Sequence, residues 1–411
     1  MTASEGAPLF SLTSLRGRIV AIGGVIALLL VAGVWITLTH ASAQSSNSGA
    51  TDSDPSASPS SSVPNQPLTL VSETPARNAT SVDGASDITI HFSAPLAASS
   101  PLPTVHPDIA GTWQGTGTST LKFVPAKGFD QLTHVKVTIP GGTLGVRSAH
   151  GALLSSTVHL RFETGAYQTA RLDELLTQLG YLPLTWTPAS GATVPGAADS
   201  AAQLAAAYDA PSGSYSWDSG YPSELQSFWD NGDSGSLMLQ GAVMAFESDH
   251  GLALDGVAGK EVWSALFKAV ASGQDNTSGY TYALASEGDP ETLTVWHDGK
   301  VIMRSLANTG IAAAPTTLGT APVYLKYYYQ VMKGTNPDGS KYADPVYYVS
   351  YFRSGEAVHY FPRGSYGFPQ SLGCVELPWS SAKFIWTYLT YGTLVTVAPG
   401  SQTPSTSPTA N

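Results

Sequence analysis

An apolar stretch near the N-terminus limits where this chain can be placed in the cell. Residues 19–38 contain no charged side chain, and a helix of about 20 residues is roughly 30 Å long, the thickness of a bilayer core. Arg16 and Arg18 precede the stretch, and no basic residue follows for tens of residues. The positive-inside rule then places residues 1–18 in the cytoplasm. The sequence therefore predicts a single-pass anchor at residues 19–39 in the cell membrane, with the remaining domains in the extracytoplasmic space.

A cleaved signal peptide is the alternative reading of the same stretch. Ala41, Ser42 and Ala43 resemble a signal-peptidase site. The apolar run is longer than the 7–15 residues typical of a signal peptide, so we favour a retained anchor. Either reading exports most of the chain.

Composition narrows the fold class and the partners. The 411 residues include 19 Lys and Arg against 30 Asp and Glu, a formal charge of −11, which argues against a nucleic-acid partner. Only 12% of residues are charged, and 41 Gly and 28 Pro favour strands and turns over long charged helices. We expect a multidomain, mainly β protein.

The first two exported segments differ in composition and in their predicted secondary structure. Residues 40–66 are rich in Ser and Pro and predict a flexible linker. Residues 67–166 contain short β-rich runs at even spacing, which predict a β-sandwich. The segment resembles bacterial immunoglobulin-like (Ig-like) domains in three short strings: Glu73-Thr74-Pro75, His91-Phe92-Ser93 and Phe123-Val124-Pro125. Its five histidines are scattered, and we predict no metal site.

Residues 167–275 show helical periodicity instead. Leu172, Leu175, Leu176 and Leu179 have helical spacing and are followed by Gly180. Two further amphipathic stretches complete a predicted three-helix bundle, interrupted by an insertion at about residues 185–231. The module resembles three-helix peptidoglycan-binding modules in a string formed by Ala242, Val243, Phe246, Gly251, Leu252, Asp255, Gly256, Gly259, Val262, Trp263 and Leu266.

Residues 276–400 are predicted to form a mostly β domain that contains the single cysteine, Cys374, and residues 401–411 a disordered tail. One cysteine excludes an intramolecular disulfide and a multi-cysteine metal cluster. A free thiol is a weak nucleophile near neutral pH and needs a neighbouring base. His359 precedes Cys374 and no histidine follows it, which excludes the order Cys before His. We predict Cys374 as a nucleophile and His359 as its general base and acid, with no cofactor and no metal.

This domain resembles the L,D-transpeptidase (YkuD-type) catalytic domain. Ser371-x-Gly373-Cys374 matches the nucleophile segment of the family, His359 its upstream histidine, and the string Ala314-Pro315-Thr316-Thr317-Leu318-Gly319 its earlier turn. Three positions depart from the family pattern: Tyr360 replaces Gly, Leu372 replaces His, and Glu376 stands where Arg or Asn is common.

The resemblance implies a cell-wall enzyme that cross-links peptidoglycan by cysteine acyl transfer from stem tetrapeptides, with stem peptides and the membrane as partners. Ser371 and Gly373 are then expected to orient the nucleophile or form the oxyanion hole. Arg363 is expected to supply the positive charge for a substrate carboxylate. The tyrosine-rich stretch from residue 327 to 348 suits either a lid or an ordinary strand hairpin.

Two alternatives stay open. A sortase-like cysteine transpeptidase also places His before Cys, but it would need an Arg after Cys374, and none follows. The replacements at Leu372 and Glu376 leave room for a catalytically inactive wall-binding scaffold.

Overall fold

The computed structural model describes residues 66–400. The predicted anchor, nearly all of the linker and the C-terminal tail lie outside the described residues. Within residues 66–400, no helix is long and apolar enough to cross a membrane.

The first described domain is a β-sandwich, as the sequence predicted. Strands β1, β2, β5 and β4 form one antiparallel sheet, and β3, β6 and β7 form the other. Alternation explains the packing, since Ile88, Ile90 and Phe92 of β2 are buried whereas His91 is exposed. In chain order the strands are β1 Leu70–Thr74, β2 Ile88–Phe92, β3 Thr104–His106, β4 Gly111–Gln114, β5 Thr120–Pro125, β6 His134–Ile139 and β7 Val158–Glu163.

A helical module follows, and its three predicted helices are present. They begin and end at capping residues: the Ser236 side chain accepts a hydrogen bond from the Leu239 N–H, and Gly273 adopts a left-handed conformation at φ 63°. The sequence alone did not reveal the hairpin formed by β8 and β9 or the short helices α2 and α3. The elements are α1 Thr169–Gln178, β8 Leu184–Pro188, α2 Ser200–Tyr208, β9 Gly213–Trp217, α3 Ser223–Gln226, α4 Leu237–Asp249 and α5 Lys260–Ser272.

The C-terminal domain contains two sheets that share a core. The first has the strand order β12-β11-β10-β18-β13 and the second β14-β15-β16-β17. Their facing side chains and helix α6 enclose buried apolar residues such as Val295, Val358 and Val375. The elements are β10 Thr281–Glu287, β11 Thr292–His297, β12 Lys300–Leu306, β13 Gly319–Pro322, β14 Leu325–Thr335, β15 Lys341–Arg353, β16 Glu356–Tyr360, β17 Val375–Leu377, α6 Trp379–Ile385 and β18 Leu394–Pro399.

The helical module shares a hydrophobic cluster with the C-terminal domain, which includes Tyr282, Trp296 and Leu394. The two backbones approach each other closely where α4 passes residue 392. A Cβ atom added at Gly241 would lie 2.5 Å from the carbonyl oxygen of Gly392. Only glycine fits this position.

We predict that Gly241→Ala destabilises the protein by about 1–2 kcal/mol, although alanine favours helices by up to ~1 kcal/mol. The clash is with backbone, so side-chain motion cannot relieve it. Urea denaturation measures the effect. Gly196→Ala is the matched control, because a Cβ there would meet its nearest neighbour at 4.0 Å. Equal stability of both variants would contradict the close approach.

Candidate active site

A cavity of about 340 Å³ opens on one face of the sheet that contains β14 to β17. Cys374 and His359 both line it, so the structure brings together the two residues that the sequence proposed for chemistry. The hairpin of β14 and β15 forms one wall, and the segment before β17 forms another. Further lining residues are Ile311, Met332, Asn336, Pro337, Tyr342, Asp344, Val346, Gly355, Phe361, Arg363, Gln370, Ser371, Leu372 and Glu376.

Cys374 ends a tight turn that leads into β17. The Ser371 hydroxyl donates to the Cys374 carbonyl oxygen at 2.6 Å and accepts the Gly373 N–H at 3.1 Å. Gly373 has φ 112°, a conformation that favours glycine. Ser371 is buried, with 1% exposure. The serine therefore fixes the backbone that presents the thiol.

We predict that Ser371→Ala costs about 1–3 kcal/mol of stability, since it leaves a buried donor and a buried acceptor without partners. The rate at which an electrophile labels Cys374 should change as the turn loosens. Ser350→Ala is a matched control, because the Ser350 hydroxyl is buried without a hydrogen-bond partner within residues 66–400. Urea denaturation of both variants checks the prediction, and equal losses would contradict it.

His359 lies on β16 opposite Glu376 of β17. Its Nδ1 atom is 2.9 Å from the Tyr360 carbonyl oxygen, an acceptor that requires the proton on Nδ1. The Nε2 atom is then unprotonated in the neutral ring and can accept a proton. Burial lowers the pKa of His359, more than the Tyr360 carbonyl and the Glu376 carboxylate raise it. The ring is thus a neutral base at neutral pH.

The Cys374 thiol is protonated at neutral pH. Burial raises its pKa to about 12, and the carboxylates of Glu376 and Glu356 add to the rise. The sulfur contacts the Gly355 carbonyl oxygen at 3.7 Å. No hydrogen bond joins Cys374 to His359 within the part of the chain that the structure describes. A thiolate–imidazolium pair is therefore not favoured in this arrangement, and a reaction at the thiol would require transfer of its proton.

An ion pair crosses the cavity wall between Arg363 and Glu376. The Nε and Nη2 atoms of Arg363 each donate to a Glu376 oxygen at 2.7 Å, and Nη2 also donates to the Gln370 carbonyl at 2.9 Å. The Asn308 amide nitrogen lies 3.4 Å from the same carboxylate. Glu376 raises the pKa of Arg363 further. The pair is bidentate and fixes the guanidinium plane.

Two family models match parts of this chain. Residues 281–397 match the L,D-transpeptidase catalytic domain (YkuD). Residues 64–164 match a bacterial Ig-like domain. Neither match covers the helical module, whose wall-binding role stays a prediction. The search of curated proteins found no match. The matches support a peptidoglycan cross-linking transpeptidase.

Solved structures similar to the chain include several L,D-transpeptidases. One from Mycobacterium smegmatis is 15% identical, with 81% of this chain and 99% of that chain covered and a TM-score of 0.27. L,D-transpeptidase 3 from Mycobacterium tuberculosis is 14% identical, with 80% of this chain and 98% of that chain covered and a TM-score of 0.27. The catalytic domain of the E. faecium L,D-transpeptidase is 28% identical, with 30% of this chain and 99% of that chain covered and a TM-score of 0.27.

The tyrosine-rich strands of the L,D-transpeptidase domain form a hairpin, which is one of the two arrangements that the sequence left open. Tyr328 and Tyr329 pack on Tyr347, with ring centroids 6.0 Å and 5.0 Å apart, and none of these three lines the cavity. Tyr342 does, together with Asn336 and Pro337 near the hairpin tip. The hairpin forms a cavity wall through its tip and through the opposite face of its strands.

The departures from the family pattern occupy different places. Tyr360 points away from the cavity and packs on Trp379, with ring centroids 4.9 Å apart. Leu372 is partly exposed at the cavity edge, and Glu376 binds Arg363. No motif in the sequence pointed to Glu356, whose carboxylate accepts hydrogen bonds from the Thr317 N–H and hydroxyl at 3.0 Å and 2.6 Å. That contact ties the predicted family turn to the strand that leads to His359.

Proposed function

We propose that this chain is a cell-wall L,D-transpeptidase that forms peptidoglycan cross-links through a Cys374 thioester. The observation that carries the proposal is that a neutral imidazole with a free Nε2 and the only thiol of the chain line one cavity. The catalytic roles are Cys374 as nucleophile and His359 as base and acid. Attachment to the cell membrane through residues 19–39 belongs to the same proposal.

Acylation follows from the protonation states. The Cys374 sulfur attacks the carbonyl between the third and fourth residues of a stem tetrapeptide while Nε2 of His359 takes the thiol proton. The C–N bond then breaks, and the imidazolium returns the proton to the departing amino group of the terminal D-residue. A thioester and a free amino acid result, and His359 is neutral again.

The second half-reaction transfers the acyl group to an amine. An acceptor ammonium gives one proton to His359, and the resulting amine attacks the thioester carbonyl. The C–S bond breaks, the Cys374 sulfur takes the second nitrogen-bound proton, and His359 releases its proton to solvent. The product is an amide cross-link. Water in place of the amine would give carboxypeptidase activity.

Ser371 and Gly373 act on the nucleophile turn in this proposal. The Gly373 N–H donates to Ser371, so both residues orient the turn, and the Cys374 N–H donates to the oxyanion. Arg363 binds a substrate carboxylate through Nη1, which has no hydrogen-bond partner within residues 66–400. Its other two nitrogens hold Glu376.

The helical module is proposed to bind peptidoglycan near the catalytic domain. In the turn between α4 and α5, Gly256 adopts φ 68°, and its N–H donates to the Glu247 carboxylate at 2.9 Å. The helical module and the C-terminal domain share a hydrophobic core, so peptidoglycan bound to the module would lie close to the active site.

Mass spectrometry of a tetrapeptide muropeptide incubated with the protein and with its Cys374→Ser variant tests the function. A dimer that requires Cys374 supports the transpeptidase. Loss of the terminal residue without a dimer indicates a carboxypeptidase. If the protein forms no dimer and releases no terminal residue, the result favours the inactive wall-binding scaffold. A buried, protonated thiol is compatible with that alternative.

A further inference from the structure

The Cys374 sulfur contacts backbone groups on both sides of one residue, Glu356. The Gly355 carbonyl oxygen lies 3.7 Å from the sulfur and accepts the S–H. Burial raises the pKa of the thiol, and a hydrogen bond from the Ala357 N–H lowers it. The carbonyl thus favours the thiol and the N–H favours the thiolate. Because Glu356 lies between these two residues in the chain, its position sets both contacts.

Glu356 begins β16 at the end of a hairpin that needs an anchor. Ser354 and Gly355 join β15 to β16 and are exposed, and exposed loop tips are mobile unless other contacts hold them. Arg353 and Glu356 pair across the hairpin, and both side chains bind Thr317. Arg353 donates to the Thr317 carbonyl oxygen at 3.2 Å, while Glu356 accepts the N–H and hydroxyl of the same residue. Both strand ends are therefore held by one residue.

The segment 310–317 is fixed in turn against the nucleophile turn. The Ile311 N–H donates to the Ser371 carbonyl oxygen at 2.9 Å. The Thr316 hydroxyl is buried and accepts the Gly310 N–H at 2.8 Å. This segment therefore connects the nucleophile turn to the hairpin whose backbone contacts the sulfur, and the contacts close a ring around the thiol.

Only one oxygen of the Glu356 carboxylate serves as the anchor. Oε1 accepts both hydrogen bonds from Thr317, at 3.0 Å and 2.6 Å. Oε2 is buried without a hydrogen-bond partner within residues 66–400. A glutamine side chain of the same length carries an equivalent acceptor oxygen. Anchoring thus depends on the reach of the side chain and not on its charge.

We propose that Glu356 is a positioning residue, which holds Thr317 and so keeps the Gly355 carbonyl oxygen where it receives the S–H of Cys374. This deepens the proposed function and rests on it. The S–H is then directed away from His359 in the resting site. Rotation about the Cβ–Sγ bond brings the proton to Nε2 when substrate enters the cavity, and the fixed backbone N–H stabilises the sulfur as the proton leaves.

Two variants separate reach from charge. Glu356→Gln keeps the acceptor oxygen and removes the charge, whereas Glu356→Asp keeps the charge and is one methylene group too short to hold Thr317. Glu261→Asp is the matched control, because Glu261 is exposed in the first turn of α5. A circular dichroism melt of each variant confirms that it is folded.

The infrared spectrum of the full chain provides a direct readout. Cys374 is the only cysteine, so the spectrum contains one S–H stretching band. We expect the band to move to higher frequency in Glu356→Asp, because the hydrogen bond to the carbonyl is lost, and to stay in place in Glu356→Gln and Glu261→Asp. If Glu356→Asp does not fold, Thr317→Val replaces it and should move the band in the same direction, since it removes the 2.6 Å hydrogen bond.

Acylation by a stem tetrapeptide, followed by rapid quench and mass spectrometry, gives the effect on chemistry. A displacement of about 1 Å in a reacting group can cost about 100-fold in rate. We expect Glu356→Asp to slow acylation about 10- to 100-fold with little change in KM, and Glu356→Gln to react at close to the wild-type rate. An unshifted band or an unchanged rate in Glu356→Asp would overturn the proposal. So would a Glu356→Gln variant that behaves like Glu356→Asp, because charge would then be the cause.

The two readouts also separate this inference from the proposed function. If the wild-type protein never processes the tetrapeptide, the proposed function fails, and the S–H band still decides whether Glu356 holds the thiol proton on Gly355. If the wild-type protein processes the donor and neither Glu356 variant changes the band or the rate, only the inference fails.

Discussion

Replacing Cys374 by serine is expected to reduce cross-linking more than about 1000-fold. A serine hydroxyl is a far weaker nucleophile than a thiol, and the charges that shift the pKa at residue 374 are the carboxylates of Glu376 and Glu356, which disfavour an alkoxide. Dimer formation from tetrapeptide muropeptides measures the loss.

A loss of activity in Cys374→Ser must be distinguished from a loss of folding. The side chain has only 9% exposure, and the Ser371 contact that fixes the turn involves the backbone of residue 374, so it survives the exchange. The thermal unfolding temperature should change little. A variant that still forms dimers at more than a few per cent of the wild-type rate would remove Cys374 from the mechanism.

The second large effect is expected from His359→Gln, which should slow acylation of Cys374 about 100- to 10,000-fold. The amide can still bond to the Tyr360 carbonyl oxygen but cannot take the thiol proton. Acyl-enzyme formation followed by rapid quench and mass spectrometry gives the rate. His150→Gln serves as control, because His150 is exposed in the Ig-like domain.

The rate of Cys374 acylation is also expected to depend on pH in a defined direction. The base is the neutral imidazole, and burial lowers the His359 pKa below its usual 6.5. Acylation should therefore rise with pH through a midpoint below 6.5 and then stay level near neutrality, since the Cys374 pKa lies near 12. A midpoint above 7, or its persistence in His359→Gln, would contradict this assignment.

The sequence predicted most of the fold because the patterns are local. Alternation in β2 and the spacing of Leu172, Leu175 and Leu176 depend only on which side chains a single element buries. The hairpin of β8 and β9 escaped prediction, because its strands run through a Gly-, Ser- and Pro-rich insertion where few apolar residues mark a buried face.

The site was predictable only in part for a related reason. Cys374 and His359 stand in recognisable short strings, and the single thiol drew attention to its neighbours. The pairing of Arg363 with Glu376 depends on two segments that meet in space. Charge balance in a cavity is a property of the folded chain.

Intact-protein mass spectrometry with a stem tetrapeptide tests acyl transfer through Cys374. We expect an adduct equal to the mass of the donor less its terminal D-amino acid, located on the peptide that contains Cys374 and absent from Cys374→Ser. Adding an amine acceptor should discharge the adduct into a dimer. Dimers formed without such an adduct, or an adduct that persists in Cys374→Ser, would contradict acyl transfer through this thiol.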